Sequence, residues 1–161
     1  MDRDREFERF CESQWPALVR ALAWASGADV TAEDLAQETM VRVYENWDRV
    51  RGLERPEGWM YQVGLNLSRS RWRLRKRRLP DAGRDLVRFD DDVVEQVMLR
   101  RAVAGLSPAL RDVLIMRHVV GWTPTEVAAH LGVSEEAVRV RAHRAAKAVR
   151  AQMNHEEEVH P

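Results

Sequence analysis

The segment from Thr123 to Arg150 constrains the fold more than any other part of this chain, because it carries the start and stop signals of two consecutive helices. Thr123 and Glu126 are placed to form a capping box at the start of the first helix. Gly132 supplies the positive φ that a tight turn between helices requires, and Ser134 caps the second helix. This pattern predicts a helix-turn-helix, whose second helix enters the major groove of DNA.

The second helix of this motif is expected to present a basic face to DNA, because residues near its N-terminus reach base edges in the groove. The residues predicted to point at base edges are Glu136, Arg139, Val140 and His143. The residues predicted to contact phosphates, which position the helix without reading sequence, are Arg141, Arg144 and Lys147. Thr123, at the start of the first helix, joins this DNA-binding set. An ordinary helical hairpin with a basic surface is the alternative interpretation.

The charge pattern also indicates contact with a polyanion, although the formal net charge is +0. One basic block lies in residues 69–78 and a second in residues 139–150. Acidic residues gather around residues 33–38, 90–92 and 156–158. Two separated basic patches on a neutral chain predict two contacts with nucleic acid. The acidic surfaces are expected to contact a different partner. Solvated helix faces are the alternative explanation for both basic blocks.

Helical signals dominate the first half of the chain. Residues 3–26 are predicted to form one helix with a bend at Pro16, and Thr31 is predicted to cap a second helix. The apolar stripe of the second helix consists of Ala36, Met40, Val43, Tyr44 and Trp47. A third helix begins at Pro56 and has Gly64 at a close packing contact. The residues predicted to be buried on the third helix are Trp59, Met60, Val63 and Leu67.

A loss of helical periodicity at residues 80–92, together with Pro, Gly and Asp residues, predicts a linker. The linker separates a first domain, residues 1–79, from a second domain, residues 93–152. A polar tail at residues 153–161 follows the second domain. The expected fold is therefore all-α, with two small helical domains joined by a flexible linker.

Three segments of the chain resemble the sigma-70 family of RNA polymerase sigma factors. The segment that looks like region 2 of that family reads AEDLAQETMVRVYENW. The segment that resembles the following helix reads RPEGWMYQVGLNLSRSRWRLRKR, and the segment that resembles region 4 reads LSPALRDVLIMRHVVGWTPTEVAAHLGVSEEAVRVRAHRAAKAVR. The three segments occur in the family's order. The short chain, without other sigma regions, is similar to the extracytoplasmic-function (ECF, sigma-E-like) group.

The resemblance implies a transcription initiation factor whose partners are core RNA polymerase and promoter DNA. Region 2 would dock on the clamp helices of the polymerase β′ subunit through Asp34, Gln37 and Glu38. Region 4 would read the minus-thirty-five element with the helix-turn-helix and contact the β flap. The residues expected to contact the minus-ten element are Arg51, Arg55, Asn66, Arg69, Arg71, Trp72, Arg73 and Arg75. An anti-sigma factor is a further partner that many relatives have, and nothing in this sequence reports one.

The region around the minus-ten contacts also carries a proposed mechanism. The loop at residues 50–57 is expected to capture an unstacked base from the opened strand, and Trp72 is the best candidate for base stacking. Two segments depart from the family's usual pattern. This loop lacks the family's frequent Phe-Arg pair, and the recognition helix has Val140 and Ala142 where other residues are commoner. The promoter sequence therefore does not follow from the resemblance.

Other function classes are weighed against this interpretation. The main alternative is a helix-turn-helix regulator that acts without being a polymerase subunit, and a helical adaptor that binds only proteins is another. No nucleophile–base arrangement, phosphate-binding glycine loop or metal-carboxylate set indicates an enzyme, so neither a cofactor nor a metal is expected. The lone Cys11, the charged first residues and the lack of a long apolar run predict a cytoplasmic protein without membrane insertion.

Overall fold

A computed structural model describes residues 2–27, 32–78 and 91–159, with the side chains of Trp72, residues 75–78 and residues 91–93 left out of the description. These three stretches contain helices and short connections, and no strand occurs in them. The all-α prediction is therefore confirmed. The helices fall into two groups in chain order, the first formed by α1–α4 and the second by α5–α8.

The first group contains two long helices, one helix of intermediate length and one short helix. They are α1 (Arg3–Ser26), α2 (Ala32–Glu45), α3 (Trp47–Val50) and α4 (Pro56–Arg78). Asp2 caps α1 by accepting a hydrogen bond from the backbone N–H of Asp4 at 3.3 Å, and Gly27 with φ 74° ends the helix. Pro16 lies inside α1 without ending it. Thr31, the predicted cap of α2, lies outside the described residues.

The core of the first group lies where α1, α2 and α4 cross. Leu18 and Leu22 from α1, Leu35 from α2 and Met60 from α4 are completely buried. Each such side chain contributes about 1.5–3 kcal/mol through removal of apolar surface from water. A Cβ on Gly64 would lie 3.2 Å from Leu22 Cδ2, which confirms the predicted close contact at this glycine.

The end of α2 differs from the sequence prediction, which placed Trp47 and Tyr44 on one buried stripe of the same helix. Helix α2 stops at Glu45, where the Asn46 amide donates a hydrogen bond to the Arg42 carbonyl at 2.9 Å. Such side-chain bonds compete with the helical ladder and favour its termination. Trp47 instead begins α3 and is buried. Tyr44 is 40% exposed, and its hydroxyl donates a hydrogen bond to Asp4 at 3.0 Å.

Of the four residues predicted to be buried on the third helix, α4, two are buried and two are only half-buried. Met60 and Leu67 are buried. Trp59 and Val63 are half-buried and pack at the edge of the core. The guanidinium of Arg49 lies 5.3 Å from the Trp59 ring and covers part of its exposed face.

The second group contains α5 (Asp91–Ala104), α6 (Pro108–Ile115), a π-helical turn (Met116–Val120), α7 (Pro124–Leu131) and α8 (Glu135–Val159). Helix α5 begins at Asp91, within the segment predicted as a linker at residues 80–92, and residues 80–90 lie outside the described chain. Helix α8 continues to Val159, so the predicted polar tail is helical as far as that residue.

The two groups pack against each other and share a contiguous cluster of buried residues. Helix α1 contacts α5, α6 and the π-helical turn. A second set of contacts joins α4 to α6, where the buried Arg111 donates a hydrogen bond from Nη2 to the Leu65 carbonyl at 3.2 Å. The sequence patterns did not predict this docking, which places the helix-turn-helix beside the start of α4.

Candidate nucleic-acid and protein interfaces

The helix-turn-helix is formed by α7 and α8, and its predicted capping contacts are confirmed. The Thr123 hydroxyl accepts a hydrogen bond from the Glu126 N–H at 3.2 Å, and the Glu126 carboxylate accepts one from the Thr123 N–H at 2.8 Å. Gly132 has φ 67° in the turn. The Ser134 hydroxyl then accepts a hydrogen bond from the backbone N–H of Ala137 at 3.1 Å. These bonds satisfy donors that the helix starts would otherwise leave unpaired.

The angle between α7 and α8 is fixed by an apolar contact and a polar one. Val127 from α7 and Val138 and Ala145 from α8 are completely buried. The Thr125 hydroxyl donates a hydrogen bond to the Glu135 carboxylate at 2.8 Å. The recognition helix is therefore held by contacts on the side that faces the rest of the protein.

The opposite side of α8 is exposed and contains most of the residues that the sequence assigned to DNA. Those exposed residues are Glu136, Arg139, Val140, His143, Arg144 and Lys147. They recur every three or four positions and so share one face of the helix. Arg141 is half-buried because it lies beside the buried stripe that contains Val138 and Ala145. The structure thus groups six predicted contacts and separates Arg141 from them.

The residues predicted to contact the minus-ten element do not form one surface. Asn66 and Arg73 are exposed on α4 and lie on the same face, seven positions apart. Arg71 lies on another face and forms an ion pair with Glu38 of α2. Arg51 pairs with Glu6 of α1 at 3.0 Å. The side chains of Trp72 and Arg75 lie outside the described structure.

Two more arginines of the same set face the second group of helices. Arg55 Nη2 lies 2.8 Å from the Glu126 carboxylate on α7. Arg69 Nη2 lies 3.7 Å from the Asp112 carboxylate on α6, and its buried Nε has no hydrogen-bond partner in the described residues. In the described structure, both arginines are therefore paired with carboxylates of the second group of helices.

The residues predicted to bind polymerase lie on one side of α2. Asp34 and Gln37 are exposed, whereas Glu38 is half-buried between Arg42 and Arg71. Sequence reasoning missed Val41, which is 56% exposed on the same side. An apolar residue at a helix position otherwise surrounded by charge is the signal that could have identified it.

A groove of about 740 Å³ lies beside this side of α2, between α2 and α1. Gln37 and Val41 line it together with Cys11, Trp15 and Met40, so it combines an apolar floor with a polar edge. Burial raises the pKa of the Cys11 thiol, which favours the neutral thiol and limits its reactivity. This groove extends the predicted polymerase-binding surface from α2 onto α1.

Titratable groups with shifted pKa values occur at the contact between the two groups of helices. The hydrogen bond from the Thr123 N–H and the nearby Arg55 lower the pKa of Glu126, so its carboxylate stays charged. Burial, with the charge of Arg55, lowers the pKa of His130 and favours the neutral imidazole. Burial raises the pKa of Tyr61 to about 12.

The described residues contain no group of His, Cys, Asp or Glu side chains arranged to hold a metal ion. Among these residues, no helix is long and apolar enough to cross a membrane. The exposed face of α8 carries Arg139, Arg144 and Lys147, whose positive charges suit binding to a polyanion.

Two family models match the chain in the order of its two groups of helices. The model for sigma-70 region 2 matches residues 14–78, and the model for sigma-70 region 4 matches residues 96–149. The chain belongs to the sigma-70 family. In the terms of this family, α2–α4 lie in region 2, and the helix-turn-helix of α7 and α8 lies in region 4.

Curated sigma-70 relatives match over nearly the whole chain. The RNA polymerase sigma-E factor of Streptomyces avermitilis is 29% identical over 154 residues, which cover 92% of this chain and 85% of that protein. The ECF RNA polymerase sigma factor SigE of Mycolicibacterium smegmatis is 32% identical, over 84% of this chain and 60% of that protein. Sequence similarity therefore extends through both regions.

Solved structures of sigma factors share the fold. The sigma factor RpoE, in complex with the anti-sigma factor NepR from Bartonella quintana, has a TM-score of 0.69 at 20% identity and covers 93% of this chain and 98% of its own. CnrH, in complex with the cytosolic domain of CnrY, has a TM-score of 0.62 at 23% identity, over 98% of this chain and 91% of its own.

Proposed function

We propose that this protein is an ECF-type sigma factor that binds core RNA polymerase and directs initiation at specific promoters. The observation that carries this proposal is the presence, in one chain, of an acidic and apolar surface on α2 and an exposed basic recognition face on α8. A helix-turn-helix regulator needs only the second surface. Membership of the sigma-70 family supports a function that uses both the α2 surface and the α8 face.

The recognition face of α8 is proposed to read the minus-thirty-five element in the major groove. Arg139 is the strongest candidate for a base contact, because its side chain is 65% exposed and lies near the N-terminus of the helix. Arg144 and Lys147, further along the same face, are placed to contact phosphates. Their contribution is expected to weaken steeply as salt concentration rises.

The exposed stripe of α4 is proposed to hold the minus-ten element. Asn66 and Arg73 are exposed there, and Trp72 and Arg75 are assigned to the same contact from the sequence. Arg51, Arg55, Arg69 and Arg71 are proposed to join this contact when DNA replaces their acidic partners. The loop at residues 50–57 is proposed to hold a base that leaves the stack when the duplex opens.

The surface on α2 is proposed to dock on the β′ clamp helices of core polymerase. Asp34, Gln37 and Glu38 would form a polar rim around the exposed Val41, which resembles the arrangement of an interface with an apolar centre. Region 4 is proposed to contact the β flap. These partners place the protein in the cytoplasm, and this role requires neither catalysis nor a cofactor.

The polymerase contact is tested with the double variant Gln37→Ala/Glu38→Ala and, separately, with Val41→Glu. Both are expected to abolish co-purification with core polymerase while leaving the thermal unfolding transition in place, because Gln37 and Val41 are exposed and Glu38 is half-buried. Gln152→Ala/Glu157→Ala, which removes the same chemical groups from exposed positions on α8, is the matched control. Unchanged polymerase binding by both test variants would rule out this surface.

An anti-sigma factor is proposed as a further partner, because the solved relative RpoE is bound to one. A groove of about 550 Å³ between the two groups of helices offers an apolar surface, lined by Trp24, Leu99 and Val149 among others. Co-purification of a protein that lowers transcription from the cognate promoter, and that Val149→Glu no longer binds, would support this partner. Full transcription in the presence of every co-purified protein would argue against it.

A further inference from the structure

The exposed face of α8 has an apolar side chain near its centre. Val140 is 42% exposed and lies in the second turn of the helix, which begins at Glu135. Among residues 94–159, the other exposed large apolar side chain is Val159, the last described residue of the chain. Val140 is neither in the described hydrophobic core nor among the side chains packed against it.

The direction of Val140 is set by the buried side of the same helix. Val138 and Val149 are buried there. At about 100° per residue, Val140 lies about 200° from Val138 and about 180° from Val149 around the helix axis. The valine therefore points directly away from the rest of the protein.

Charged and polar residues surround Val140 on this exposed side. Glu136, His143, Arg144 and Lys147 are exposed and lie within about 60° of Val140 around the helix axis. A single exposed valine is ordinary on a protein surface. Val140, however, occupies the centre of the face that is proposed to enter the major groove, where any apolar surface meets the edges of the bases.

The edges of the bases offer one apolar partner to such a side chain. The major groove presents hydrogen-bond donors and acceptors together with the C5 methyl group of thymine. A valine against a donor or an acceptor would remove water from that group without replacing its hydrogen bond, which costs free energy. Against the thymine methyl, the same valine removes apolar surface from water on both sides of the contact. The side chain therefore favours thymine over the other bases.

The stiffness of valine also suits this contact. Branching at Cβ restricts a valine in a helix to one strongly preferred rotamer. Binding therefore costs Val140 little conformational entropy, whereas the long side chains of Arg144 and Lys147 must be ordered. The helix itself is held in place by the hydrogen bond from Thr125 to Glu135 at 2.8 Å. Val140 is thus an apolar contact that is already fixed before DNA binds.

We propose that Val140 determines part of the promoter specificity by packing its methyl groups against the C5 methyl of a thymine in the minus-thirty-five element. This inference rests on the proposed function and names the base that one position of its DNA site requires. Val140 is also a position at which this chain departs from the usual pattern of its family. The preference for thymine is therefore a property of this chain and not of the family as a whole.

The test removes the thymine methyl without changing the base pairing. Promoters are first selected by transcribing a promoter pool with core polymerase and the full chain. Each thymine of the selected minus-thirty-five element is then replaced in turn by deoxyuridine, which lacks the C5 methyl and pairs with adenine in the same way. The affinity of the polymerase complex for each duplex is measured with wild type, Val140→Ala and Val159→Ala. Val159→Ala is the matched control, because Val159 is an exposed valine at the far end of the same helix.

Wild type and Val159→Ala are expected to lose about fourfold in affinity at one uracil position, which is the effect of one methyl group leaving apolar contact. Val140→Ala is expected to bind the thymine duplex more weakly than wild type and to lose less than about 1.5-fold on the same replacement. Uracil also changes the stiffness of the duplex, but it does so equally for all three proteins. The difference between wild type and Val140→Ala therefore isolates the contact.

A second measurement adds the methyl group to a different base. The position identified by the uracil scan is changed to cytosine or to 5-methylcytosine, opposite guanine. The methyl group is expected to increase the affinity of wild type and to leave that of Val140→Ala unchanged. A gain of equal size in both proteins would overturn the proposal.

A selected minus-thirty-five element without thymine, or a uracil scan without any loss in wild type, would also overturn the proposal. A loss that persists unchanged in Val140→Ala would do the same, because it would come from the shape of the duplex or from another residue. In these cases promoter-selective transcripts remain, so the proposed function stands while the thymine contact fails.

If core polymerase yields no selective transcript, the proposed function fails by itself. The uracil scan is then repeated on duplexes selected by the full chain alone, with the same three proteins and the same expected loss. A chain that selects no duplex would overturn the thymine contact as well.

Discussion

Arg139 and Arg55 have the same guanidinium group, but they differ in exposure and in the groups that contact them. The Arg139 side chain is 65% exposed, and its pair with Glu135 at 3.5 Å is a surface contact of small value. The Arg55 side chain is 32% exposed and is held by Glu126 and Trp122. Arg139 is therefore available to DNA in the free chain, whereas Arg55 becomes available only after its partners leave.

Arg139→Ala is expected to weaken binding to the minus-thirty-five element by about 1–3 kcal/mol, if its guanidinium makes two hydrogen bonds to one base. The free energy of unfolding should change by less than about 0.5 kcal/mol, because the residue is exposed. Binding to cognate and scrambled upstream elements is measured for both proteins. Arg5→Ala, an exposed arginine on α1, is the control. Equal affinity of wild type and Arg139→Ala for both elements would contradict the assigned base contact.

Gly64→Val is expected to destabilise the fold by about 1–3 kcal/mol, because the added atoms would overpack the crossing of α1, α2 and α4. The closest atoms to a Cβ at this position are Leu22 Cδ2 and Thr39 Oγ1, both at 3.2 Å. Chemical denaturation measures the change. Gly52→Val, at an exposed position where a Cβ would meet one carbonyl oxygen at 3.6 Å, should have a much smaller effect. Equal destabilisation by the two variants would refute the packing argument.

At the scale of the element, α7 is stabilised by contacts that are local in the sequence. Its capping box joins residues three positions apart, and its C-terminal turn depends on the positive φ of Gly132. Such signals could be predicted because the interacting groups lie within one turn of each other. The same holds for the exposed face of α8, which follows from helical periodicity.

Thr123→Ala is expected to lower the free energy of unfolding by about 1 kcal/mol, because the N–H of Glu126 loses its hydrogen-bond acceptor. Thr123→Ser retains the hydroxyl and should be close to wild type. Thermal unfolding of the two variants measures this difference. Loss of stability in the serine variant as large as in the alanine variant would mean that the hydroxyl does not act as the cap.

Sequence reasoning missed one local helix end and two contacts between distant residues. The end of α2 before Trp47 depends on Asn46, whose competing side-chain bond has no periodic signature. Arg111 looks like an ordinary surface arginine in the sequence but is buried against a carbonyl of α4. The pairing of Arg55 with Glu126 joins residues 71 positions apart. Tertiary docking decides these contacts, and amphipathic patterns describe one helix at a time.

At the scale of the whole molecule, the sequence predicted two helical units and did not predict that they share one contiguous cluster of buried residues. The sequence shows two basic blocks, and the structure shows that Arg69 of the first block and Arg55, which precedes it, pair with acidic residues of region 4. The chain therefore neutralises two of the arginines that the sequence assigned to DNA.

The packing of the regions is expected to depend on pH through His130. The charged groups that act on it are Arg55 from the loop before α4 and Asp112 from α6, and Glu126, one turn earlier on α7, pairs with Arg55. Burial and the charge of Arg55 lower the pKa of His130 below 6.5. The packed arrangement of the two regions therefore favours the neutral imidazole. The stabilising contribution is therefore present above pH 6.5 and is lost as the pH falls through the lowered pKa.

The radius of gyration of the free chain should increase between about pH 7.5 and about pH 5.5, which brackets the titration of an ordinary histidine. His130→Gln removes the titrating group and should show a smaller increase over the same range. Small-angle scattering at both pH values makes the comparison. An identical response of wild type and His130→Gln would assign the pH effect to other groups.

The central claim, that this chain directs RNA polymerase to promoters, is tested most directly by mixing the purified protein with core polymerase and transcribing a pool of promoter fragments. The account predicts co-elution with core polymerase and new transcripts that start from a subset of the pool. DNA binding without co-elution, and without any promoter-selective transcript, would contradict it and identify an ordinary helix-turn-helix regulator instead.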